Sequence, residues 1–206
     1  MIHDLVLVAV AYLLGSIPFG VVVARAQGGV DLRRVGSGNI GATNVLRAVG
    51  KGAAALTLLA DIGKGALSVA LGRWLGVAAP VLATIALAAV GGHLFPVFAR
   101  FRGGKGVATT LGVVLVAMPV VGSLLILIWL AVATLSRYSS LASLTASVAL
   151  PILTWVLDGR PAMLALSGVL LALVVFRHRE NIARLLAGTE GKIGQRVRVS
   201  NGQIVK

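Results

Sequence analysis

The chain has 206 residues, 58% of them hydrophobic and only 12% charged, with a mean hydropathy of +0.98. A soluble domain carries about 25% charged residues, so this composition points to a polytopic protein of the lipid bilayer. The net charge of +13 does not signal nucleic acid, because the basic residues cluster between long apolar runs and only 5% of the side chains are aromatic; the absence of cysteine removes disulfides, thiolate metal sites and cysteine nucleophiles.

The apolar runs, in chain order, are Leu5–Ala24, Ala53–Leu71, Pro80–Phe98, Gly106–Ala117, Pro119–Leu135, Leu141–Leu157 and Ala162–Phe176. Of the charged residues only Asp61 and Lys64 fall inside a run. A single helix from Gly106 to Leu135 would measure about 45 Å, longer than the ~30 Å hydrocarbon core. Two shorter helices turning at Met118–Pro119 are therefore expected. The first run resembles a signal peptide, with Ala24-Arg25-Ala26 as a cleavage-like pattern, but Met1-Ile2-His3-Asp4 has no basic residue. A signal peptide has a positive n-region, so the run is expected to stay in the mature protein.

Seven crossings sort the charge best. They leave only Arg73 and Arg160 on one face and gather the remaining loop Lys and Arg on the other, whereas six crossings split the basic loops between faces. The positive-inside rule then predicts an all-α bundle of seven transmembrane helices, N-terminus outside and C-terminus cytoplasmic. Residues 1–206 form one domain, of which 188–206 is a basic cytoplasmic tail.

The polar, small-residue segments all fall on the cytoplasmic face. Gly36–Arg47 combines glycines with Ser37, Asn39, Thr43 and Asn44, so that backbone N–H groups can converge on an anion, and Arg47 adds a forked donor suited to phosphate. As plain structure it would be a loop with a helix cap at Thr43 or Asn44. Arg102-Gly103-Gly104-Lys105-Gly106 precedes an apolar run, so a helix N-terminus would face an anion. It is no nucleotide-binding P-loop, because Ala99 stands at the first glycine position and Gly106 follows the lysine. Asp61 and Lys64 are three apart on one helical face and either neutralise each other or support the site. Ser139–Ser143 opens the sixth run and could cap it. His178 and Asn181, also three apart, project together from the segment after the last run, where Ile182, Leu185 and Leu186 suit an interfacial helix. His178 is either a general base or a hydrogen-bonding partner. His93 is expected to be structural or a minor contributor. Carboxylates are too few and histidines too scattered for a metal, and no cofactor is called for. Phosphate-bearing small molecules or lipid headgroups are the natural ligands.

Taken in order, Gly15-Ser16-Ile17-Pro18-Phe19-Gly20, Gly36–Arg47, Asp61–Gly65, Gly92-His93-Leu94-Phe95-Pro96, Arg102–Thr109, Ser139–Ser143 and His178–Glu190 resemble the bacterial acyl-phosphate:glycerol-3-phosphate acyltransferases over nearly the whole chain. The resemblance implies acyl transfer from acyl phosphate to the 1-hydroxyl of glycerol 3-phosphate, giving lysophosphatidate and phosphate at the cytoplasmic face of the bacterial inner membrane, by a chain active on its own. By similarity Ser37, Arg47, Lys105, Ser143, His178 and Asn181 would hold glycerol 3-phosphate, with Ser37, His178 and Asn181 closest to the chemistry. Gly38, Asn39, Gly41, Thr43, Asn44, Gly103 and Gly104 would hold the acyl phosphate. The His-x-x-x-x-Asp pair common in acyl-CoA and acyl-carrier-protein enzymes is absent: Val8, Phe98 and Ala183 stand five after the three histidines. Competing readings are a transporter of phosphorylated solutes or anions and a structural protein binding anionic lipid.

Overall fold

The computed structural model describes residues 2–195, 198–200 and 203–205. Every predicted apolar run is mainly helical, the first in two pieces and the third ending in a 3₁₀ turn. The helices are α1 (Ile2–Gly15), α2 (Phe19–Gly28), α3 (Ala42–Ala48), α4 (Lys51–Trp74), α5 (Ala79–Leu94), α6 (Val107–Ala117), α7 (Pro119–Ser136), α8 (Ser139–Leu157), α9 (Pro161–Arg177) and α10 (Arg179–Leu186), with a 3₁₀ turn at Val97–Ala99. In the basic tail, Arg198–Ser200 pairs antiparallel with Gln203–Val205; residues 196–197, 201–202 and 206 of that predicted tail lie outside the described residues.

The first run is interrupted at Ser16-Ile17-Pro18, where proline lacks an N–H and disfavours helix in the residue before it. The stretch Ile2–Gln27 is nevertheless apolar and long enough to cross a membrane, as are Lys51–Trp74, Ala79–Ala99, Pro119–Ser136 and Ser139–Leu157. A sixth crossing results if α9 and α10, bent by 60°, form one span. Helix α6 has 11 residues, about 16 Å at 1.5 Å per residue, or half the hydrocarbon thickness. The break predicted at Met118–Pro119 is present: Met118 leaves helical geometry at φ −142°, ψ 74°, and Pro119 starts α7. A Cβ on Gly122 would lie 2.8 Å from the Leu115 Cα, so α6 and α7 fold back on each other.

Two of the helix pairs meet backbone to backbone. A Cβ added to Gly15 or to Gly92 would fall 2.1 or 2.2 Å from the carbonyl oxygen of Ala89 or Tyr12 respectively, which joins α1 to α5. One added to Gly65 or to Gly112 would fall 2.5 or 2.0 Å from the carbonyl of Thr109 or Ile62, joining α4 to α6. Small residues at such seams are how membrane helices associate when lipid is as apolar as the core. Around the seams pack Ile85, Val90, Leu94, Val113, Leu150, Met163 and Leu170. Leu59, Val120, Leu135, Trp155 and Leu186 point outward, between 64% and 87% exposed, which suits a lipid-facing surface and no aqueous one.

A second, smaller cluster of Val23, Ala24, Leu32, Ile40, Val45 and Ala53 ties α2, α3 and the start of α4 together. It anchors the loop between α2 and α3, which carries the first polar segment.

Candidate active site

A cavity of about 390 Å³ opens where that loop, the Gly103–Gly106 turn, the start of α8 and the α9–α10 junction converge. Ser37, Arg47, Lys105, Ser143, His178 and Asn181 all line it, so residues 144 positions apart in sequence come to one place. Leu58, Ile62, Leu111, Leu125, Ile126 and Leu130 extend it as an apolar groove between α4, α6 and α7. The cavity wall therefore combines a polar part with an apolar one.

Lys105 Nζ donates to Asn181 Oδ1, and Asn181 Nδ2 donates to Glu190 Oε1 at 2.7 Å. Glu190 also accepts from Ser140 Oγ at 2.8 Å and from Arg184 Nε at 2.7 Å. Arg47 donates to the Gly191 carbonyl at 2.8 Å. The segment after α10 thus closes one side of the cavity. Ser143 accepts from Trp129 Nε1 at 3.1 Å and donates to the Ser139 carbonyl at 2.8 Å. His178 Nδ1 lies 2.8 Å from the Val174 carbonyl. A carbonyl only accepts, so Nδ1 carries the proton and Nε2 keeps its lone pair.

Burial and the nearby Lys105 charge push the His178 imidazolium down to about 4, so the ring is neutral at physiological pH. Burial lowers the Lys105 ammonium to about 8, against the partial support of Glu190. Arg47 is lowered by burial as well. For Glu190, burial opposes ionisation, but the hydrogen bonds from Arg184, Asn181 and Ser140 outweigh it and hold the carboxyl below its ordinary value.

Four of the residues expected to hold a second anion, Asn39, Gly41, Thr43 and Asn44, also line the cavity, as do Gly106 and Val107 at the N-terminal end of α6. Thr43 and Asn44 do not cap α3. That helix begins at Ala42 with Gly41 as its N-cap, so both lie in its first turn. Asn44 instead organises the loop: its Oδ1 accepts from the Ser37 N–H at 3.0 Å, and its Nδ2 points at the carbonyls of Leu32, Val35 and Asn39 within 3.0 Å. Nor does a serine side chain cap α8, whose N-cap is Tyr138; Ser139 meets Thr43 Oγ1 at 3.1 Å. Gly38, Gly103 and Gly104 stand outside the cavity wall. Gly103 and Gly104 pack on His93, and Arg177 donates to both of their carbonyls, at 2.9 and 3.0 Å.

Two groups of residues carry more than their sequence context suggests. Glu190 is the acceptor at the centre of the Asn181 network, and a lone carboxylate beside so many cations is the available signal. His93, expected to be structural or a minor contributor, lies 3.5 Å from Asp61 Oδ1, while Lys64 pairs with the same oxygen at 2.8 Å. Among the described residues no three His, Asp or Glu side chains converge as a metal site.

The model of the glycerol-3-phosphate acyltransferase family matches residues 5–188. A glycerol-3-phosphate acyltransferase of Rubrobacter xylanophilus is 52% identical over 194 residues, covering 94% of this chain and 96% of the relative. One from a Ruegeria species is 57% identical over 189 residues, covering 91% and 92%. Among solved structures, the glycerol 3-phosphate form of PlsY (YgiH), an integral membrane glycerol 3-phosphate acyltransferase, superposes with a TM-score of 0.89 at 47% identity over 93% of this chain and 96% of that one. Its lysophosphatidic acid form gives 0.87 at 45% identity, over 94% and 96%.

Proposed function

The chain belongs to the glycerol-3-phosphate acyltransferase family, and from that premise we propose that it acylates the 1-hydroxyl of glycerol 3-phosphate with an acyl phosphate as donor. The observation that carries this reading is the continuity of a basic, amide- and hydroxyl-lined pocket with an apolar groove in one cavity. Ser37, Arg47, Lys105, Ser143, His178 and Asn181 hold glycerol 3-phosphate. Asn39, Gly41, Thr43 and the N-terminal end of α6 receive the donor phosphate, and Asn44, Gly38, Gly103 and Gly104 shape the loops that present them. The groove takes the acyl chain, at about 0.8 kcal/mol per buried CH₂.

The glycerol hydroxyl attacks the acyl carbonyl carbon, the C–O bond to phosphate breaks, and inorganic phosphate leaves with the hydroxyl proton. A mixed anhydride needs no covalent enzyme intermediate, so the protein's task is to hold two anions side by side, and positioning alone can supply ~7–11 kcal/mol of a barrier. With His178 lowered to about 4, a phosphate oxygen with a pKa near 6 is the better proton acceptor. His178 orients the hydroxyl through Nε2.

In the membrane the same reading has seven crossings, the N-terminus outside, and the site and C-terminus on the cytoplasmic face of the inner membrane, with one chain sufficient. Its support is the pair of arginines at the far end of the bundle. Arg73 Nη1 donates to the Val116 carbonyl at 2.5 Å and Arg160 Nη2 to the Ala117 carbonyl at 3.0 Å. They satisfy the C-terminal end of the half-length α6 from the other side. Single cysteines placed near residue 3 and near residue 192 of this cysteine-free chain should label from opposite faces of intact cells.

The decisive experiment supplies purified protein with glycerol 3-phosphate and either acyl phosphate or acyl-CoA. Lysophosphatidate and phosphate should form from acyl phosphate only. Product from acyl-CoA and none from acyl phosphate overturns the donor assignment.

A further inference from the structure

Lys105 sits in a turn with no regular structure of its own, between the 3₁₀ turn and α6, so its position depends on what grips that turn. Gly104, immediately before it, donates its N–H to the His93 carbonyl at 3.2 Å, and its own carbonyl accepts from Arg177 at 3.0 Å. A Cβ on Gly104 would fall 2.3 Å from His93 Nε2. The edge of the imidazole is thus the seat on which the peptide preceding Lys105 rests.

That ring is held in turn. His93 is 6% exposed, with Nδ1 3.5 Å from Asp61 Oδ1. Lys64 pairs with Asp61 at 2.8 Å and donates to the Ile17 carbonyl, also at 2.8 Å, at the break between α1 and α2. Asp61 faces the Nδ1 edge at 3.5 Å, a charge–dipole contact and not a hydrogen bond, and Gly104 faces the Nε2 edge, so the carboxylate favours the orientation in which a protonated Nδ1 is turned toward it. Ionisable groups inside a membrane segment are costly, and well-packed apolar residues would hold a helix seam with less penalty. What they would not supply is a directional hold on the ring. Asp61 and His93 also share the cavity wall with Lys105.

We propose that Asp61 and His93 are positioning residues for glycerol 3-phosphate binding: Asp61 orients the imidazole of His93, and the imidazole fixes the Gly103–Lys105 turn so that Lys105 reaches the substrate phosphate. This rests on the reading above, in which Lys105 holds glycerol 3-phosphate.

His93→Asn tests it, because the Asn amide nitrogen can take the place of Nδ1 opposite Asp61 while the ring edge under Gly104 is lost. The KM for glycerol 3-phosphate should rise about tenfold or more, a misplacement effect, with kcat and the KM for acyl phosphate within about twofold of wild type. In a Lys105→Ala background His93→Asn should add no further rise, since residues acting through one group are not additive. Gly104→Ala keeps both Asp61 and His93 in the chain and serves if His93→Asn does not fold. Its methyl meets the ring, so it should raise the same KM.

An unchanged KM for glycerol 3-phosphate in His93→Asn and Gly104→Ala overturns the proposal. So does a loss confined to kcat, or effects of His93→Asn and Lys105→Ala that multiply. A Lys105→Ala enzyme with wild-type KM instead removes the role of Lys105 itself, and a wild type inactive on acyl phosphate plus glycerol 3-phosphate removes the functional reading and this proposal with it.

Discussion

Lys105 donates to the side-chain oxygen of Asn181, 76 residues further along the chain, and so ties the turn ahead of α6 to the helix that follows α9. The amide of Asn181 is oriented from both ends. An ammonium only donates and a carboxylate only accepts, so Lys105 takes the oxygen and Glu190 the nitrogen. The turn ahead of α6 and the segment after α10, whose Gly191 carbonyl also accepts from Arg47, are thereby tied together around the cavity.

The pH dependence of glycerol 3-phosphate binding follows from Lys105. Its ammonium is lowered by burial to about 8, so the charge is present below that pH and is lost as pH rises through it. The KM for glycerol 3-phosphate should climb between about pH 7.5 and 9.5, with kcat less affected. Lys105→Arg, whose guanidinium stays charged up to about pH 12, should abolish that alkaline rise even if its KM at neutral pH is poorer. Parallel KM profiles for the two enzymes would refute the assignment.

His178 makes the opposite end of the pH profile quiet. Its folded value of about 4 lies below the ordinary value of 6.5, so the neutral ring is the folded form and protonation is deferred to acid pH. At saturating glycerol 3-phosphate the ring itself should add no acid limb to kcat between about pH 8 and 5.5, so that any fall there follows the donor phosphate, near 6, and has the same midpoint in wild type and His178→Gln. An acid limb centred near 6.5 that disappears in His178→Gln would show that the ring titrates as an exposed imidazole.

The helices of the chain are legible in its sequence wherever physics is local. Apolar runs become helices because a bilayer leaves the backbone no other partner, and the Met118–Pro119 break follows from length. Ser37, Arg47, Lys105, Ser143, His178 and Asn181 are legible as a set through the family resemblance, and they do share one cavity. Asn44 is not: a side chain that ties Ser37 to three carbonyls of its own loop looks in sequence like one more ligand-binding amide. The Asp61–His93 contact escapes because it joins two helices, and no spacing within either helix records it. Gly103 and Gly104 look in sequence like anion-cradling backbone, whereas their lack of side chains admits His93.

Glu190 should matter for stability as much as for activity. Its side chain is 6% exposed, and its carboxylate accepts from Ser140, Asn181 and Arg184. Hydrogen bonds to a charged group contribute about 1.5–3 kcal/mol each, and stranded donors add to the loss. Glu190→Ala should therefore lower the Tm in detergent by several degrees and reduce the yield of folded protein, with Glu190→Gln intermediate. A Glu190→Ala protein as stable as wild type would mean that the closing segment is not held by these contacts.

The α1–α5 seam gives a prediction with its own control. Alanine at Gly15 or Gly92 would place a methyl carbon 2.1 or 2.2 Å from a backbone oxygen of the opposite helix, and backbone cannot swing aside as a flexible side chain can. Gly15→Ala and Gly92→Ala should each cost about 1–3 kcal/mol, as overpacked interiors do. Gly91, next to Gly92 in sequence, has open space where a Cβ would stand, with no atom within 4 Å. Alanine there should stabilise by a few tenths to about 1 kcal/mol, because helical glycine is the poorer former. Thermal unfolding of the three variants in one detergent separates the effects. A Gly91→Ala protein as unstable as Gly92→Ala would show that the loss comes from altering the helix itself, whereas a loss confined to Gly15 and Gly92 locates it in the contact between α1 and α5, the seam that carries Ser16 and the Ile17 carbonyl held by Lys64.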